Sequence, residues 1–309
     1  MRILILGAGG TGGYFGGRLA QAGLDVTFLV RPARALQLQA DGLVIRSPLG
    51  DAKIPVQYLT ADQLPAAAPF DLILLSCKAY DLQSSIEAIA PAMGENTTLL
   101  PILNGLHHYE TLDQRFGSNH VLGGLCFISV TKPASGEVQH LGKPASVTFG
   151  ERAGDPQSER CTAIAAAFEQ ANVECKHSPT INDDIWIKYS FLTALAAATC
   201  LMRASVGAIV ATDGGRDFMQ RLYGECLAVA AASGAAISAG AKEQALGLLT
   251  QPGSTVTASM LRDLQSGQQI EGEQIVGDML ERAQAAGIDA PTLAVAWCHL
   301  QAYAGQRKS

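Results

Sequence analysis

"RILILGAGGTGGYFGGRLAQAG", residues 2–23, decides how this chain is read. The apolar run 3–6 stops at glycine, which fits a strand buried on both faces. The second half of the stretch reads as a helix ending at Gly23. Between them lies GAGGTG, a G-x-G-x-x-G pattern at Gly7, Gly9 and Gly12. Alone the pattern is weak. After a strand and at the opening of a helix, it marks a dinucleotide-binding turn. Gly7 permits the tight turn, Gly9 lets the backbone approach a pyrophosphate, and Gly12 allows the helix to pack closely on the strand. The helix start adds free N–H groups and a positive dipole end. Gly7, Gly9, Gly10, Thr11 and Gly12 are therefore the expected phosphate cradle.

Outward from this stretch the theme repeats. DVTFLVR (25–31), FDLILLSCKAYD (70–81), TTLLPILNG (97–105) and HVLGGLCFISV (120–130) read as further strands, with Pro101 closing the third of these. Helical stretches such as 80–91 and 106–116 lie between them. Strand alternating with helix implies a parallel sheet with helices on both faces. Residues 131–150 change character: turn residues and short alternating segments predict one or two antiparallel strands extending that sheet. A helix over 158–172 and a short strand over 173–178 follow, and after Thr180 only helical patterns remain. A chain of 309 residues is long enough for two cores. The expected fold is α/β: an N-terminal Rossmann domain, residues 1–179, then an all-α C-terminal domain, residues 180–309.

Composition narrows the function. The chain is 48% hydrophobic and 16% charged, which is a globular profile. Its net charge of -6 leaves no basic surplus for a phosphate backbone, so nucleic acid is not an expected partner. The seven cysteines are odd in number and form no C-x-x-C pair. That argues against a disulfide framework or zinc site and for a reducing compartment. The first apolar run is too short for a signal peptide. No window approaches the roughly 20 apolar residues of a membrane span, and the Ala-rich stretch 226–241 reads as packed helix. A soluble cytoplasmic protein without a membrane partner is the expectation; a homodimer is left open. His107, His108, His177 and His299 read as surface or packing residues, and no metal site is expected.

The end of the second strand reads FLVRPAR, residues 28–34, without the acid that usually bonds the ribose 2′-hydroxyl of NAD. Arg31 and Arg34 stand where a 2′-phosphate would lie, and the planar guanidinium suits phosphate. NADPH is therefore the expected cofactor. Two further polar residues, Lys78 and Asn104, close apolar runs, where ligands of an open α/β sheet bind. Lastly, DDIWIKYSFLTALAAAT (183–199) is a helix apolar nearly all round that nonetheless carries Lys188. Asp184, four residues earlier, offers an ordinary helix pair. But an ammonium set among Trp186, Ile187, Tyr189, Phe191 and Leu192 is costly unless it has a task.

GAGGTGG, LLSCKAYD, ILNGL, DDIWIK and TASMLRDLQSGQQIEGEQIVG (257–277), in that order, resemble the ketopantoate reductase (2-dehydropantoate 2-reductase) family across essentially the whole chain. The resemblance implies NADPH-dependent reduction of a 2-keto acid to a 2-hydroxy acid, in pantothenate biosynthesis if the substrate is ketopantoate. It matches the family's catalytic lysine to Lys188, its glutamate to Glu271, its serine to Ser259, and its strand-end lysine and asparagine to Lys78 and Asn104. In those roles Lys188 stabilises the alkoxide and gives a proton. Glu271 holds Lys188 charged, Ser259 bonds the substrate, and Lys78 and Asn104 serve both cofactor and substrate. Ser259 and Glu271 are too far apart for one straight helix, and Gly267 offers the break. One departure touches the substrate. Ketopantoate-specific members carry Asn four residues after the lysine, and often again four later; here stand Leu192 and Ala196. Leu192, as a substrate-site residue, admits a more apolar keto acid or another carbonyl compound. A non-catalytic NADPH-binding regulator is the alternative of another class.

Overall fold

Residues 1–308 are described by the computed structural model. By internal contacts it divides into two units: residues 1–103 with 108–181, and residues 104–107 with 182–309.

The first unit opens with β1 (Arg2–Leu6), in which Ile3, Leu4 and Ile5 are fully buried. Each such side chain contributes roughly 1.5–3 kcal/mol by leaving water. α1 (Gly10–Gln21) follows the glycine turn, then β2 (Asp25–Leu29) and α2 (Pro32–Asp41). The short strands β3 (Leu43–Arg46), β4 (Ala52–Ile54) and β5 (Gln57–Leu59) precede β6 (Leu72–Leu75), α3 (Leu82–Ile89), β7 (Thr98–Pro101) and α4 (His108–Phe116). Strands β5-β2-β1-β6-β7 form one parallel sheet. Its inner strands are apolar without alternation because both faces are covered.

A second sheet lies in the same unit, where the sequence predicts only an extension of the first. β8 (Gly123–Thr131) and β9 (Val138–Gly150) are antiparallel partners, and β9 also pairs with β3 and with β10 (Glu174–His177), which follows α5 (Glu159–Gln170). The first sheet's strand β7 is linked to the segment before β8 by an isolated bridge, Leu99 to Val121. Alternation identifies a strand, but the edge it pairs with is a long-range choice. The three-residue strands β4 and β5 lie below what apolar periodicity resolves.

The second unit is helical: α6 (Ile181–Met202), α7 (Val206–Val210), α8 (Gly215–Ala232), α9 (Ala239–Leu249), α10 (Ser259–Gln265), α11 (Asp278–Ala285) and α12 (Pro291–Lys308). A π-helical turn, Glu273–Gly277, leads into α11. Two sequence expectations change here. α6 is long and apolar enough to cross a membrane by composition, contrary to the expectation that no window comes near; 67% of its apolar window is buried, as in a core helix. The Ala-rich stretch 226–241 is not one helix: Gly234, at φ +82°, ends α8, and Ser238 caps α9.

Candidate active site

In the first unit the glycine turn has the geometry a pyrophosphate needs. Gly7 has φ +83°, a conformation that favours glycine, and its N–H donates to Leu29 O at 2.8 Å, tying the turn to β2. A Cβ at Gly12 would lie 2.5 Å from Ser76 Oγ and 2.6 Å from Gly7 O, so only glycine lets α1 approach this closely. A Cβ at Gly9 would meet nothing within 4 Å. The turn is thus closed toward the sheet and open on its outer side, at the start of a 12-residue helix. Gly10 and Thr11 form that first helical turn. A dinucleotide phosphate fits this cradle.

The basic residues after β2 divide their work. Arg31 precedes α2 with its side chain 80% exposed, and its Nη2 is 3.6 Å from Asp81 Oδ1. An acid from the turn after β6 thus approaches Arg31, and residues 25–31 give no sign of it. Arg34 Nε donates to Ala8 O at 3.1 Å, inside the glycine turn, and Nη1 donates to Gln37 at 3.0 Å. Arg34 Nη2 is buried without a hydrogen-bond partner. Burial pushes the Arg34 guanidinium below its ordinary range. An orphaned donor of this kind is costly unless an anion completes it. Lys78, half-buried, follows β6 and immediately precedes the turn Ala79–Asp81.

In the second unit Lys188 and Asn104 come together. Lys188 is 9% exposed, and its Nζ donates to Asn104 Oδ1 at 3.1 Å. Gly105, at φ +84°, packs against the π-helical turn so closely that a Cβ there would lie 2.5 Å from Gln274 O. Glu271 is buried two residues before that turn, and its carbonyl accepts from Ile275 N at 3.2 Å. π-Helical turns recur at functional sites. α10 ends before Gly267, whose φ of +70° breaks the path between Ser259 and Glu271, as the spacing requires. Ser259 itself is exposed at the first position of α10. Leu192, one turn beyond Lys188, is half-buried and packs on the helical core; Ala196 is fully buried.

Neighbouring residues that carry no site role in the sequence analysis hold this arrangement. Tyr189, adjacent to Lys188, donates to Ile275 O at 2.9 Å and to Asp278 Oδ2 at 2.7 Å. Burial, reinforced by Asp278, raises the Tyr189 phenol well above its ordinary range, so it stays a donor. Asp278 also accepts from Arg282 Nε at 2.9 Å and lies 3.7 Å from His107 Nδ1. The i,i+4 spacing of Asp278 and Arg282 was the only sequence signal for this network. A pocket of about 260 Å³ beside it is lined by Glu273, Asp278, Glu281, His107 and Trp297, among others. Three carboxylates there disfavour an anionic ligand.

Comparison with known proteins follows the same division. The family model described as "Ketopantoate reductase PanE/ApbA" matches residues 3–154, and its C-terminal counterpart matches residues 180–304. The chain is 38% identical to an uncharacterized oxidoreductase, YkpB, of Bacillus subtilis, over 99% of this chain and 100% of that protein. It is 30% identical to the solved 2-dehydropantoate 2-reductase of Geobacter metallireducens, with a TM-score of 0.88 over 97% of this chain and 99% of that one. D-mandelate dehydrogenase, solved with NADH and anilino(oxo)acetate, has a TM-score of 0.89 over 100% of this chain and 99% of its own; at 18% identity this shows a shared fold. With both halves matched in order, the chain belongs to the ketopantoate reductase family of pyridine-nucleotide-dependent oxidoreductases.

Proposed function

We propose that this protein reduces a 2-keto acid to a 2-hydroxy acid with NADPH, and that 2-dehydropantoate, in pantothenate biosynthesis, is its first substrate to test. The observation that carries the reading is the buried Lys188 ammonium bonded to Asn104 at 3.1 Å. A bound nicotinamide supplies the hydride. Lys188 faces the charge that develops on the keto oxygen and gives that oxygen a proton. Asn104 Oδ1 fixes the ammonium's direction, and Glu271, buried nearby in sequence to the π-helical turn, favours its charged form. Ser259, exposed at a helix start, is suited to the substrate's carboxylate or hydroxyl. Lys78 serves both cofactor and substrate. Arg31, and the buried, uncompleted Nη2 of Arg34, favour NADPH over NADH. The seven free cysteines fit a reducing, cytoplasmic setting.

Leu192 supports a second reading in which the chemistry is kept and the substrate is more apolar. It stands one turn beyond Lys188 and offers no hydrogen bond to a polar substrate group. Oxidation of NADPH, followed at the nicotinamide absorbance with ketopantoate and with a panel of apolar 2-keto acids, separates the two. Preference for ketopantoate by orders of magnitude in kcat/KM supports the first; the reverse supports the second. Cofactor binding with no turnover of any member contradicts both and leaves a dinucleotide-binding regulator.

A further inference from the structure

The hairpin between β8 and β9 meets the start of α1 at one point and α2 at two. A Cβ at Gly10 would come within 3.2 Å of Val130 Cγ1. Gln37 Nε2 donates to Ala134 O at 3.3 Å. Gly136, at φ +85°, faces Arg34 so closely that a Cβ there would lie 2.6 Å from Arg34 Nη1. Lys132 sits between these contacts, two residues after Val130. The only acid of the hairpin, Glu137, is engaged by Arg46 at 3.3 Å. Among the described residues, neither Arg34 nor Lys132 has an ion pair with a carboxylate. The hairpin that carries Lys132 thus packs on Arg34, and no described carboxylate forms an ion pair with either cation.

We propose that Lys132 is a third cation of the 2′-phosphate site, reaching over from the β8–β9 hairpin to set the preference for NADPH. The inference rests on the NADPH reading above and adds a residue from a strand pair remote in sequence from the β2 end. Partial burial, and then the Arg34 charge, lower the Lys132 ammonium from its ordinary value. A dianionic phosphate between them would relieve that repulsion and complete Arg34 Nη2. An unphosphorylated ribose would do neither.

The test is calorimetric and independent of turnover. Adenosine 2′,5′-bisphosphate and adenosine 5′-monophosphate are titrated into the full-length wild type, Lys132→Met and Arg34→Ala. Lys132→Met keeps the apolar stem, and its melting temperature checks the fold. The expected result is a loss of about tenfold or more in affinity for the bisphosphate, with the monophosphate unchanged. Equal weakening of both ligands, or no weakening of either, would overturn the role of Lys132. If Arg34→Ala still weakens the bisphosphate selectively, the NADPH reading survives that failure. If wild type itself does not prefer the bisphosphate, the NADPH reading fails with it.

Discussion

Lys188 Nζ and Asn104 Oδ1 are 3.1 Å apart although 84 positions separate the residues in the chain. One follows the last strand of the parallel sheet; the other lies on the first helix of the all-α unit. The segment 104–107 belongs by its contacts with that helical unit. Gly105 against Gln274 O, and Tyr189 against Ile275 O, fasten both residues to the same π-helical turn.

That fastening is testable. Tyr189→Phe removes the hydroxyl proton shared between Ile275 O and Asp278 Oδ2, which leaves Asp278 with Arg282. Stability should fall by about 1–3 kcal/mol. A displaced Lys188 should also lower kcat by about tenfold or more, with dinucleotide affinity unchanged. A loss of stability alone, with kcat intact, would make Tyr189 a packing residue only.

The glycine turn offers a contrast between two neighbours. Gly12→Ala forces a methyl against Ser76 Oγ and the Gly7 carbonyl, so the variant should lose about 1–3 kcal/mol of stability. Gly9→Ala puts its methyl into open space and should melt within about 0.5 kcal/mol of wild type. It should nevertheless bind dinucleotide at least about tenfold more weakly, because that space is where a pyrophosphate would lie. Unchanged affinity in Gly9→Ala would place the phosphates elsewhere.

Much of this was legible before the structure. The apolar run into GAGGTG marks the first strand, turn and helix, and Lys188 stands out because an ammonium is rare in so apolar a helix. Ser259 and Glu271 carry no such local signal and were reached through the resemblance. What stayed hidden is long-range. Nothing in residues 25–34 shows that Asp81 approaches Arg31, or that the β8–β9 hairpin packs on Arg34 through Gly136. Strand β9 pairs with β3, β8 and β10, choices that alternation does not specify, so the sequence implies one sheet where there are two. Tyr189 and Asp278 look in sequence like a core aromatic and a surface acid; their roles exist only once the π-helical turn brings them together.

Substrate choice turns on Leu192. Leu192→Asn restores a donor and acceptor one turn from Lys188. It should raise kcat/KM for ketopantoate relative to apolar 2-keto acids by about tenfold or more. An unchanged ratio would show that this position does not touch the substrate.

A pH dependence comes from the first unit. Glu151 accepts from Arg160 Nε at 2.7 Å, from Arg160 Nη2 at 2.6 Å and from Ser158 Oγ at 2.6 Å. Burial pushes its carboxyl up, but Arg160 and Ser158 together hold it below the ordinary 4.5. The unfolded state therefore binds the proton first on acidification. The stabilisation is complete above the ordinary value and is lost as pH falls through the lowered one. Glu151→Gln should cost about 1–2 kcal/mol at neutral pH and flatten the acid limb of the stability curve. An acid limb as steep as wild type would assign it to other carboxylates.

The most direct measurement compares wild type with Lys188→Ala in a single assay of NADPH oxidation with ketopantoate and the apolar 2-keto acids, alongside NADPH binding. Lys188→Ala should retain NADPH affinity and lose about 10²–10⁴-fold in kcat for whichever substrate is turned over. Turnover within a few-fold of wild type would contradict the central claim that Lys188 is the proton donor.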